Sequence, residues 1–570
     1  MIPPRWELQP ADESAAGALA SALKIEPPVA RLLCQRGLGD PEEAFRFLHP
    51  SLDHLHDPMA LADMRVAVDR IMGAIARKER IAVHGDYDVD GVTSTVILRR
   101  ALELLGASVV HYIPERRDGY GLQPAGLERL HAEGVSLVVS VDCGIRENEA
   151  ARRAAELGVD LIITDHHEPD AELPKALAVI NPKRRDCGYP DKNLAGVGVA
   201  LKLVQALGTR AERERWLPGF VKIAAIGTLA DVVPLVGENR VIAKIGLDLL
   251  TRGPHKIGLR ALIDVAGLAG KTIDAYHVSF MIAPRVNAAG RMSTPDIATR
   301  LLLASDESMA EEARALATEL DGENVRRREE EAGIVAAAKK IVQTDPDIGA
   351  RSVLVVAGEL WHRGVIGIVA SKLVEAFHRP AIVLSVEDGV AHGSCRSIPR
   401  FDILGALERC APMLMRFGGH KRAAGVTLEA DRLKEFRAAV NGVADETLGP
   451  DDLIPRLSID DALGFRGITS GVVSGMASLA PFGAGNPRPV FAARKVEIVD
   501  GPRMLKERHL KMALKQDGRV FRAIAWRAAE RHDYLVEHRA ALDVAFSLEQ
   551  NQFNGETYVE LTLADLKSAT

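Results

Sequence analysis

Cysteine is scarce in this sequence, and its placement excludes two kinds of site. The 570 residues include five cysteines, which are widely spaced and form no Cys-x-x-Cys pair. The odd number and the spacing argue against a disulfide framework and against a thiolate zinc site. We therefore expect reduced thiols at Cys34, Cys143, Cys187, Cys395 and Cys410.

The sequence also lacks a long hydrophobic run. No apolar stretch approaches the roughly 18 to 20 residues that span a bilayer. The N-terminal stretch MIPPRWELQP has no hydrophobic segment of the kind found in secretory signals. We therefore expect a cytoplasmic protein without a membrane partner.

An excess of positive charge is missing as well. Lys and Arg number 72 against 78 Asp and Glu, which excludes a nucleic-acid binder that is basic over its whole surface. One local patch stands out, because the stretch from Arg503 to Arg531 holds nine Lys or Arg and three acids. Aromatic residues are few, 25 in all, yet seven of them lie between Arg488 and Leu566. Basic charge beside aromatic rings is typical of a groove for single strands, although some of these rings must fill a core.

The apolar pattern predicts a multidomain α/β protein. Short Val/Ile/Leu-rich runs alternate with helical stretches after Arg80, which predicts a doubly wound parallel sheet buried on both faces. A long helix with a polar middle should connect this sheet domain to a smaller α/β domain. The alternative is that the helix is simply exposed to solvent and connects nothing. Short alternating segments near the C-terminus predict a closed β-barrel of the oligonucleotide-binding (OB) type. The predicted segments are a helical one over 1–50, the sheet domain over 51–304, the connecting helix over 305–343, the smaller domain over 344–450, and a linker with the barrel over 451–570.

Carboxylates and imidazoles follow four apolar stretches, each of which we expect to be a strand ending at one sheet edge. In an open parallel sheet, that edge is where ligands bind. The residues are His84, Asp86, Asp88 and Asp90 after the first stretch, Asp142 after the second, Asp165, His166 and His167 after the third, and Asp231 after the fourth.

Such a cluster of acids requires cations. Four of its members, Asp88, Asp90, Asp142 and Asp231, carry a combined charge that two divalent ions would balance, and buried carboxylates repel one another without them. Oxygen ligands with one or two imidazoles suit Mn²⁺ or Mg²⁺ better than copper or structural zinc. Any one of these Asp residues could instead cap a helix or a turn, but four together favour a two-metal site.

Eight segments make the sequence recognisable. Its motifs resemble those of the DHH phosphoesterase superfamily, and further segments resemble the branch of single-stranded-DNA-specific exonucleases over nearly the whole chain. The superfamily motifs are HGDYDVDG (84–91), VDCG (141–144), TDHH (164–167) and GTLADVVPL (227–235). The further segments are PRVNAAGRM (284–292), GSCRS (393–397), GGHKRAAG (418–425) and PFGAGNPRPVF (481–491).

The resemblance implies a role for each residue of the cluster. The catalytic set it implies is Asp88, Asp90, Asp142, His166 and His167. One metal would be held by His84, Asp88 and Asp142, and the other by Asp90, Asp142, His166 and Asp231, so that Asp142 bridges. His167 would face the scissile phosphate, while Asp86 and Asp165 would orient the ligands.

The resemblance also implies residues that hold the DNA. Arg116, Ser394 and Arg396 would bind a 5′-terminal phosphate, and Arg285, Arg291 and His420 would contact the strand. Taken alone, each Arg could equally form a surface ion pair. The branch commonly has Gly where this chain has Cys395, which affects details of the phosphate pocket.

The implied function is two-metal hydrolysis of single-stranded DNA in the 5′ to 3′ direction, in DNA repair and recombination. No protein nucleophile is needed in such a reaction. The implied enzyme is a monomer that works with a single-strand-binding protein and a helicase. One alternative is a phosphodiesterase for cyclic dinucleotides or very short oligonucleotides, which would not need the barrel. Another is a replication scaffold without catalysis, which would not need the ligands.

Overall fold

The structure is a computed structural model that describes residues 3–115, 121–553 and 556–569. The chain forms two compact units. One contains Leu8–Asp321 and Ile459–Thr570, and the other contains Met1–Glu7 and Gly322–Ser458. Every helix among the described residues is too short or too polar to cross a bilayer.

The N-terminal part and the sheet domain contain most of the helices. In chain order the elements are β1 (Arg5–Leu8), α1 (Glu13–Leu23), α2 (Pro27–Gln35), α3 (Pro41–Leu48), α4 (Met64–Ala76), β2 (Arg80–His84), α5 (Val89–Leu104), β3 (Ser108–Tyr112), α6 (Pro124–Ala132), β4 (Val135–Val141), α7 (Asn148–Leu157), β5 (Asp160–Thr164), β6 (Ala178–Ile180), α8 (Gly196–Arg210), α9 (Leu217–Ala230), α10 (Gly237–Arg252), α11 (Ile257–Val265), α12 (Ala275–His277), a π-helical turn (Val278–Ile282), α13 (Ala283–Met292) and α14 (Asp296–Leu303).

The sheet of this domain is parallel, as predicted. Its strand order is β3-β2-β4-β5-β6, so the chain adds strands first on one side of β2 and then on the other. Strands β4 and β5 consist almost entirely of buried residues because helices cover both faces. The order reverses between β2 and β4, and several of the predicted ligands follow these two strands, while Asp165, His166 and His167 follow the neighbouring β5.

The prediction that Asp231 follows a strand is wrong. The apolar stretch before it forms helix α9, and Asp231 lies at the C-terminus of that helix. A helix buried nearly all round has no polar stripe, so an apolar run of this kind cannot be distinguished from a buried strand by periodicity.

The connecting helix and the smaller domain follow. The elements are α15 (Ala310–Thr344), α16 (Pro346–Gly349), β7 (Leu354–Glu359), α17 (Ile366–Phe377), β8 (Ala381–Glu387), β9 (Val390–Arg396), α18 (Ile403–Arg409), β10 (Arg416–His420), β11 (Ala423–Glu429) and α19 (Leu433–Thr447). The long helix α15 is present as predicted. The sheet of the smaller domain is mixed, in the order β10-β11-β9-β8-β7, with only β7 and β8 parallel.

The C-terminal part is the predicted barrel. Its elements are β12 (Arg456–Ile459), β13 (Asp461–Ala462), α20 (Ser470–Leu479), β14 (Phe491–Leu505), β15 (His509–Gln516), β16 (Arg519–Ala525), α21 (His532–Glu537), β17 (Leu542–Phe553) and β18 (Glu556–Ser568). Five strands run in the order β14-β15-β16-β18-β17, and pairing of β17 with β14 closes the barrel. The barrel shares one hydrophobic cluster with α20 and with helices α1–α3, through residues such as Leu33 and Phe47.

Candidate metal centre

The predicted ligands come together at the carboxyl edge of the parallel sheet. They are His84 at the end of β2, Asp86, Asp88 and Asp90 at the start of α5, Asp142 after β4, Asp165, His166 and His167 after β5, and Asp231 after α9. Asp142 has a φ of 60°, a left-handed conformation that non-glycine residues adopt rarely and often at functional sites.

Three groups of these side chains have ligand atoms within 4.8 Å of one another. Two groups share Asp142, as a bridging ligand would. The groups are Asp90, His166 and Asp231; Asp142, His166 and His167; and Asp86, Asp88 and Asp142. His84 belongs to none of these groups, although its Nε2 is buried and has no hydrogen-bond partner among the described residues.

Backbone amides hold the carboxylates in place. Asp88 caps helix α5, accepting hydrogen bonds from the amides of Asp90 (2.9 Å) and Gly91 (3.0 Å). Asp90 accepts hydrogen bonds from the amides of Gly196 (2.7 Å) and Val197 (2.8 Å) in the first turn of α8. A Cβ atom at Gly196 would lie 2.2 Å from Oδ1 of Asp142, so glycine is required there. Two helix N-termini thus stabilise the negative charge of this edge.

Each carboxylate of the cluster makes ionisation of its neighbours less favourable. Burial and the neighbouring acids raise the pKa of Asp90 and of Asp142 well above the usual range. Burial and the charge of Asp88 raise the pKa of Asp231 to about 7. Divalent cations would remove this repulsion and keep the carboxylates ionised.

His166 faces three of these carboxylates. Its Nε2 lies 3.2 Å from Oδ1 of Asp142, 3.7 Å from Oδ2 of Asp231 and 4.0 Å from Oδ2 of Asp90. Burial lowers the pKa of His166 to about 3, so the ring is neutral and its nitrogen can be a ligand. Nε2 of His166, Oδ1 of Asp142 and Oδ2 of Asp231 are all buried without a hydrogen-bond partner among the described residues. Orphaned nitrogen and oxygen atoms that converge in this way fit a bound divalent cation.

Asp165 orients the two histidines that follow it. Its Oδ1 accepts hydrogen bonds from the amide of His166 (2.7 Å) and from Nδ1 of His167 (2.7 Å). Burial alone would raise the pKa of Asp165, but the hydrogen bond from His167 and the nearby imidazoles lower it overall. Burial would likewise lower the pKa of His167, yet the bond to Asp165 raises it. The arrangement fixes Nδ1 of His167 as the donor to Asp165.

Ser394 and Arg396 form a small cationic pocket in the smaller domain. The Arg396 guanidinium donates hydrogen bonds to Oγ of Ser394 (3.1 Å) and to the Cys395 carbonyl (2.8 Å), and no ion pair with a carboxylate is present among the described residues. A Cβ at Gly367, in the first turn of α17, would lie 3.1 Å from Nη2 of Arg396. A cation, a hydroxyl and a helix N-terminus together suit an anion. In the paired strands β10, β11 and β9, His420 and Arg396 lie opposite the same residue, Ala423.

The other predicted DNA contacts have mixed outcomes. Arg285 donates to the carbonyl of Met281 (2.5 Å) and forms an ion pair with Asp321 (2.8 Å), so its guanidinium is already engaged. Arg291 lies in the last turn of α13. Arg116 lies outside the described residues.

Sequence reasoning missed the residues that support the cluster. Asn287 accepts a hydrogen bond from the amide of Val89 (3.1 Å), and a Cβ at Gly290 would lie 2.5 Å from the Tyr87 carbonyl. The segment PRVNAAGRM therefore packs against the loop that carries Asp86, Asp88 and Asp90. Asn287 and Gly290 are the residues of this segment from which its packing against the loop could have been inferred.

A cleft of about 2000 Å³ lies between the sheet domain and the barrel, within one compact unit. Its walls include three exposed aromatic residues, Tyr276, Phe280 and Trp526, and the cations Arg488 and Arg527. The rings of Tyr276 and Phe280 lie 4.9 Å apart. By contrast, Phe491 and Phe546 are fully buried in the barrel core, so the aromatic residues divide between core and surface as expected.

Three protein-family models match the chain. They are the DHH family N-terminal domain over residues 80–228, the DHHA1 domain over 350–446 and the RecJ OB domain over 459–565. The single-stranded-DNA-specific exonuclease RecJ of Bacillus subtilis (strain 168) is 39% identical over 566 residues, which cover 98% of this chain and 70% of that protein.

Two solved structures have the same fold over nearly the whole chain. The crystal structure of RecJ from Thermus thermophilus in complex with Mn²⁺ has a TM-score of 0.84 and 33% identity, and covers 99% of this chain and 80% of that chain. The corresponding Mg²⁺ complex has a TM-score of 0.78 and 31% identity, and covers 99% of this chain and 79% of that chain.

Proposed function

The chain belongs to the RecJ family of single-stranded-DNA-specific exonucleases, and we propose that it degrades its strand from the 5′ end at the acidic edge of the parallel sheet. It is a single-stranded-DNA-specific exonuclease that uses Mn²⁺ or Mg²⁺. The observation that carries the proposed site is the convergence of buried, orphaned ligand atoms on Asp142, His166 and Asp231.

We assign one metal to Asp90, Asp142, His166 and Asp231. The other metal we assign to His84, Asp88 and Asp142, with Asp86 beside them. Bound divalent ions lower the pKa of a water molecule and neutralise charge on the phosphate.

The protein's own residues support this chemistry in three ways. Asp142 belongs to both ligand sets. Backbone amides in the first turns of α5 and α8 donate hydrogen bonds to Asp88 and Asp90 and hold the two carboxylates in place. Asp165 accepts a hydrogen bond from Nδ1 of His167 and so orients the ring, and we assign His167 to contact with the scissile phosphate.

We assign recognition of the 5′-terminal phosphate to Ser394 and Arg396, together with Arg116. Support comes from the cationic pocket at the first turn of α17, in which Arg396 has no competing carboxylate among the described residues. Arg291 and His420 we assign to the strand. Arg285 can contact the strand only if a DNA phosphate binds its guanidinium together with Asp321 or displaces the Asp321 carboxylate from it.

We further propose that the enzyme acts as a monomer in the cytoplasm, in DNA repair and recombination. An exonuclease that accepts only single strands depends on another enzyme to separate duplex DNA. A helicase and a single-strand-binding protein are therefore its proposed partners.

Digestion of matched substrates tests the proposed function. A long strand with a label at its 3′ end, the same strand with the label at its 5′ end, and a cyclic dinucleotide are each incubated with and without Mn²⁺. We expect the 5′ label to be released first from the linear strand, only with metal, and the cyclic dinucleotide to survive. Early release of the 3′ label would reverse the proposed direction, and preferential cleavage of the cyclic dinucleotide would replace the proposed substrate.

A further inference from the structure

The segment PFGAGNPRPVF (481–491) supplies no metal ligand, and most of it precedes the first long barrel strand. Gly483 and Asn486 exchange two backbone hydrogen bonds, of 2.9 Å and 3.2 Å. Residues 483–486 therefore form a tight turn, which we call the glycine turn. Five residues further on, the chain enters barrel strand β14 at Phe491.

The glycine turn packs directly on the loop that follows Asp231. The Leu235 amide donates a hydrogen bond of 2.7 Å to the Ala484 carbonyl. Gly485 has a φ of 69°, and a Cβ there would lie 2.9 Å from Cβ and 3.1 Å from Cα of Pro234. Both the backbone conformation and the close approach therefore require glycine.

The loop after Asp231 is held on a second side by helix α10. Nδ2 of Asn239 donates a hydrogen bond of 3.1 Å to the Pro234 carbonyl. Val232, next to Asp231, has a φ of 62°, which a β-branched residue adopts only when its surroundings impose it. The path of the loop is thus set by contacts from outside it.

The glycine turn is itself firmly anchored. Asn486 is fully buried, and its Nδ2 donates hydrogen bonds to the carbonyls of Leu479 and Pro481, both at 2.8 Å. The buried Arg240 guanidinium donates to the carbonyls of Ser478, Leu479 and Ala480 at 2.9 to 3.1 Å. The loop therefore rests against a rigid support.

We propose that the glycine turn is a positioning element for the metal ligand Asp231. By fixing Pro234 and Leu235, it sets where the carboxylate meets His166 and Asp90. The barrel domain thereby contributes to metal binding as well as to strand binding. This inference rests on the proposed metal centre.

The test compares two glycine variants of the full chain. Gly485→Ala places a Cβ against Pro234, whereas Gly518→Ala places one in open space at the β15–β16 turn, where φ is 78°. Both variants carry similar backbone strain, but only the first displaces the loop. Mn²⁺ binding is measured by titration calorimetry, and KM for the strand and kcat are measured at several Mn²⁺ concentrations.

We expect Gly485→Ala to weaken binding of at least one Mn²⁺ by about tenfold, the scale of losses when a ligand's support is disturbed. Its KM for the strand should be unchanged, and excess Mn²⁺ should restore kcat. Gly518→Ala should bind Mn²⁺ normally. If Gly485→Ala does not fold, Gly483→Ala, whose Cβ would meet only the flexible end of Leu235, should show a smaller loss in the same direction.

Two negative results have different meanings. Normal Mn²⁺ binding by the folded variant, while the unaltered protein binds two ions, would overturn this inference alone. Absence of Mn²⁺ binding by the unaltered protein would overturn the proposed metal centre.

Discussion

Asp142 has a position that no other carboxylate of the cluster shares. It belongs to two of the three groups with convergent ligand atoms, and its backbone adopts a left-handed conformation directly after β4. Its Oδ1 is buried without a hydrogen-bond partner among the described residues. These features fit a carboxylate that bridges two cations.

Replacing Asp142 by Ala should therefore abolish cleavage while the protein stays folded. We expect a loss of more than about 100-fold, since disturbing a ligand's support alone costs about 10- to 100-fold. Removing one acid also relieves repulsion in the metal-free state, so the free energy of unfolding in EDTA should not fall. The exposed Asp264 of α11 provides the control variant, Asp264→Ala. A folded Asp142→Ala protein that still cleaves at saturating metal would refute the bridging role.

Asp231 predicts a pH dependence of stability. Its pKa is raised from 3.8 to about 7, so the metal-free native state binds a proton that the unfolded chain has lost, and stability falls as pH rises through that window. Asp231→Asn lacks this penalty. In EDTA, the variant should become more stable than the unaltered protein as pH rises. The difference between their free energies of unfolding should grow by a few kcal/mol from about pH 4 to about pH 7 and stay constant above that. Urea unfolding at several pH values measures this difference, and a constant difference across the window would show that the carboxylate is not perturbed.

At the scale of elements, strand register explains the phosphate pocket. Strand β11 lies between β9 and β10, so Arg396 and His420 flank Ala423 while Ser394 and Gly418 flank Gly425. The first turn of α17 then approaches both residues closely, since a Cβ at Gly367 would lie 3.0 Å from Oγ of Ser394 and 3.1 Å from Nη2 of Arg396. The pocket thus depends on one helix and three strands.

Arg396→Ala should reduce the preference for 5′-phosphorylated ends. Loss of a charge-assisted hydrogen bond corresponds to about a tenfold change in the ratio of kcat/KM for 5′-phosphate and 5′-hydroxyl strands. Arg400→Ala removes a nearby exposed cation that pairs with Asp452 and should leave the ratio unchanged. Equal losses on both strands in Arg396→Ala would contradict a role in reading the terminal phosphate.

The sequence predicted some of these elements better than others. Strands β2, β4 and β5 were predictable because a sheet buried on both faces requires continuous apolar runs. Strands β10 and β11 were not predicted, since RFGGH has two adjacent glycines and AAGVTLE, although it alternates buried and more exposed residues, is short and begins with small residues. The motifs located the ligands through a resemblance, but the amides of Gly196 and Val197 that hold Asp90 are more than 100 residues away in sequence. Such contacts follow from the tertiary fold and have no local signal.

At the scale of the whole molecule, the barrel is integrated with the rest of its compact unit. It shares a hydrophobic cluster with α1–α3, and its entry segment supports the loop after Asp231. Deleting the barrel would expose that cluster and disturb a proposed ligand at the same time. Point variants at the exposed aromatic residues of the cleft therefore test strand binding there without removing the segment that supports the loop after Asp231.

Trp526→Ala should weaken binding of single-stranded DNA by about tenfold, because stacking on one ring contributes about 1 to 3 kcal/mol per base. The slope of affinity against salt concentration should not change, since no cation is removed. Val536→Ala, an exposed apolar truncation on α21, is the control. Affinity is measured in EDTA at several salt concentrations. An unchanged dissociation constant for Trp526→Ala would mean that the cleft is not a stacking surface.

We propose that the acidic edge of the sheet holds two divalent ions. Anomalous diffraction from crystals grown with Mn²⁺ locates those ions directly. We expect two Mn²⁺ peaks at the carboxyl edge, with Asp142 contacting both and His166 and Asp231 contacting one of them. A single peak there, or peaks only elsewhere in the molecule, would show that the two-ion site is wrong.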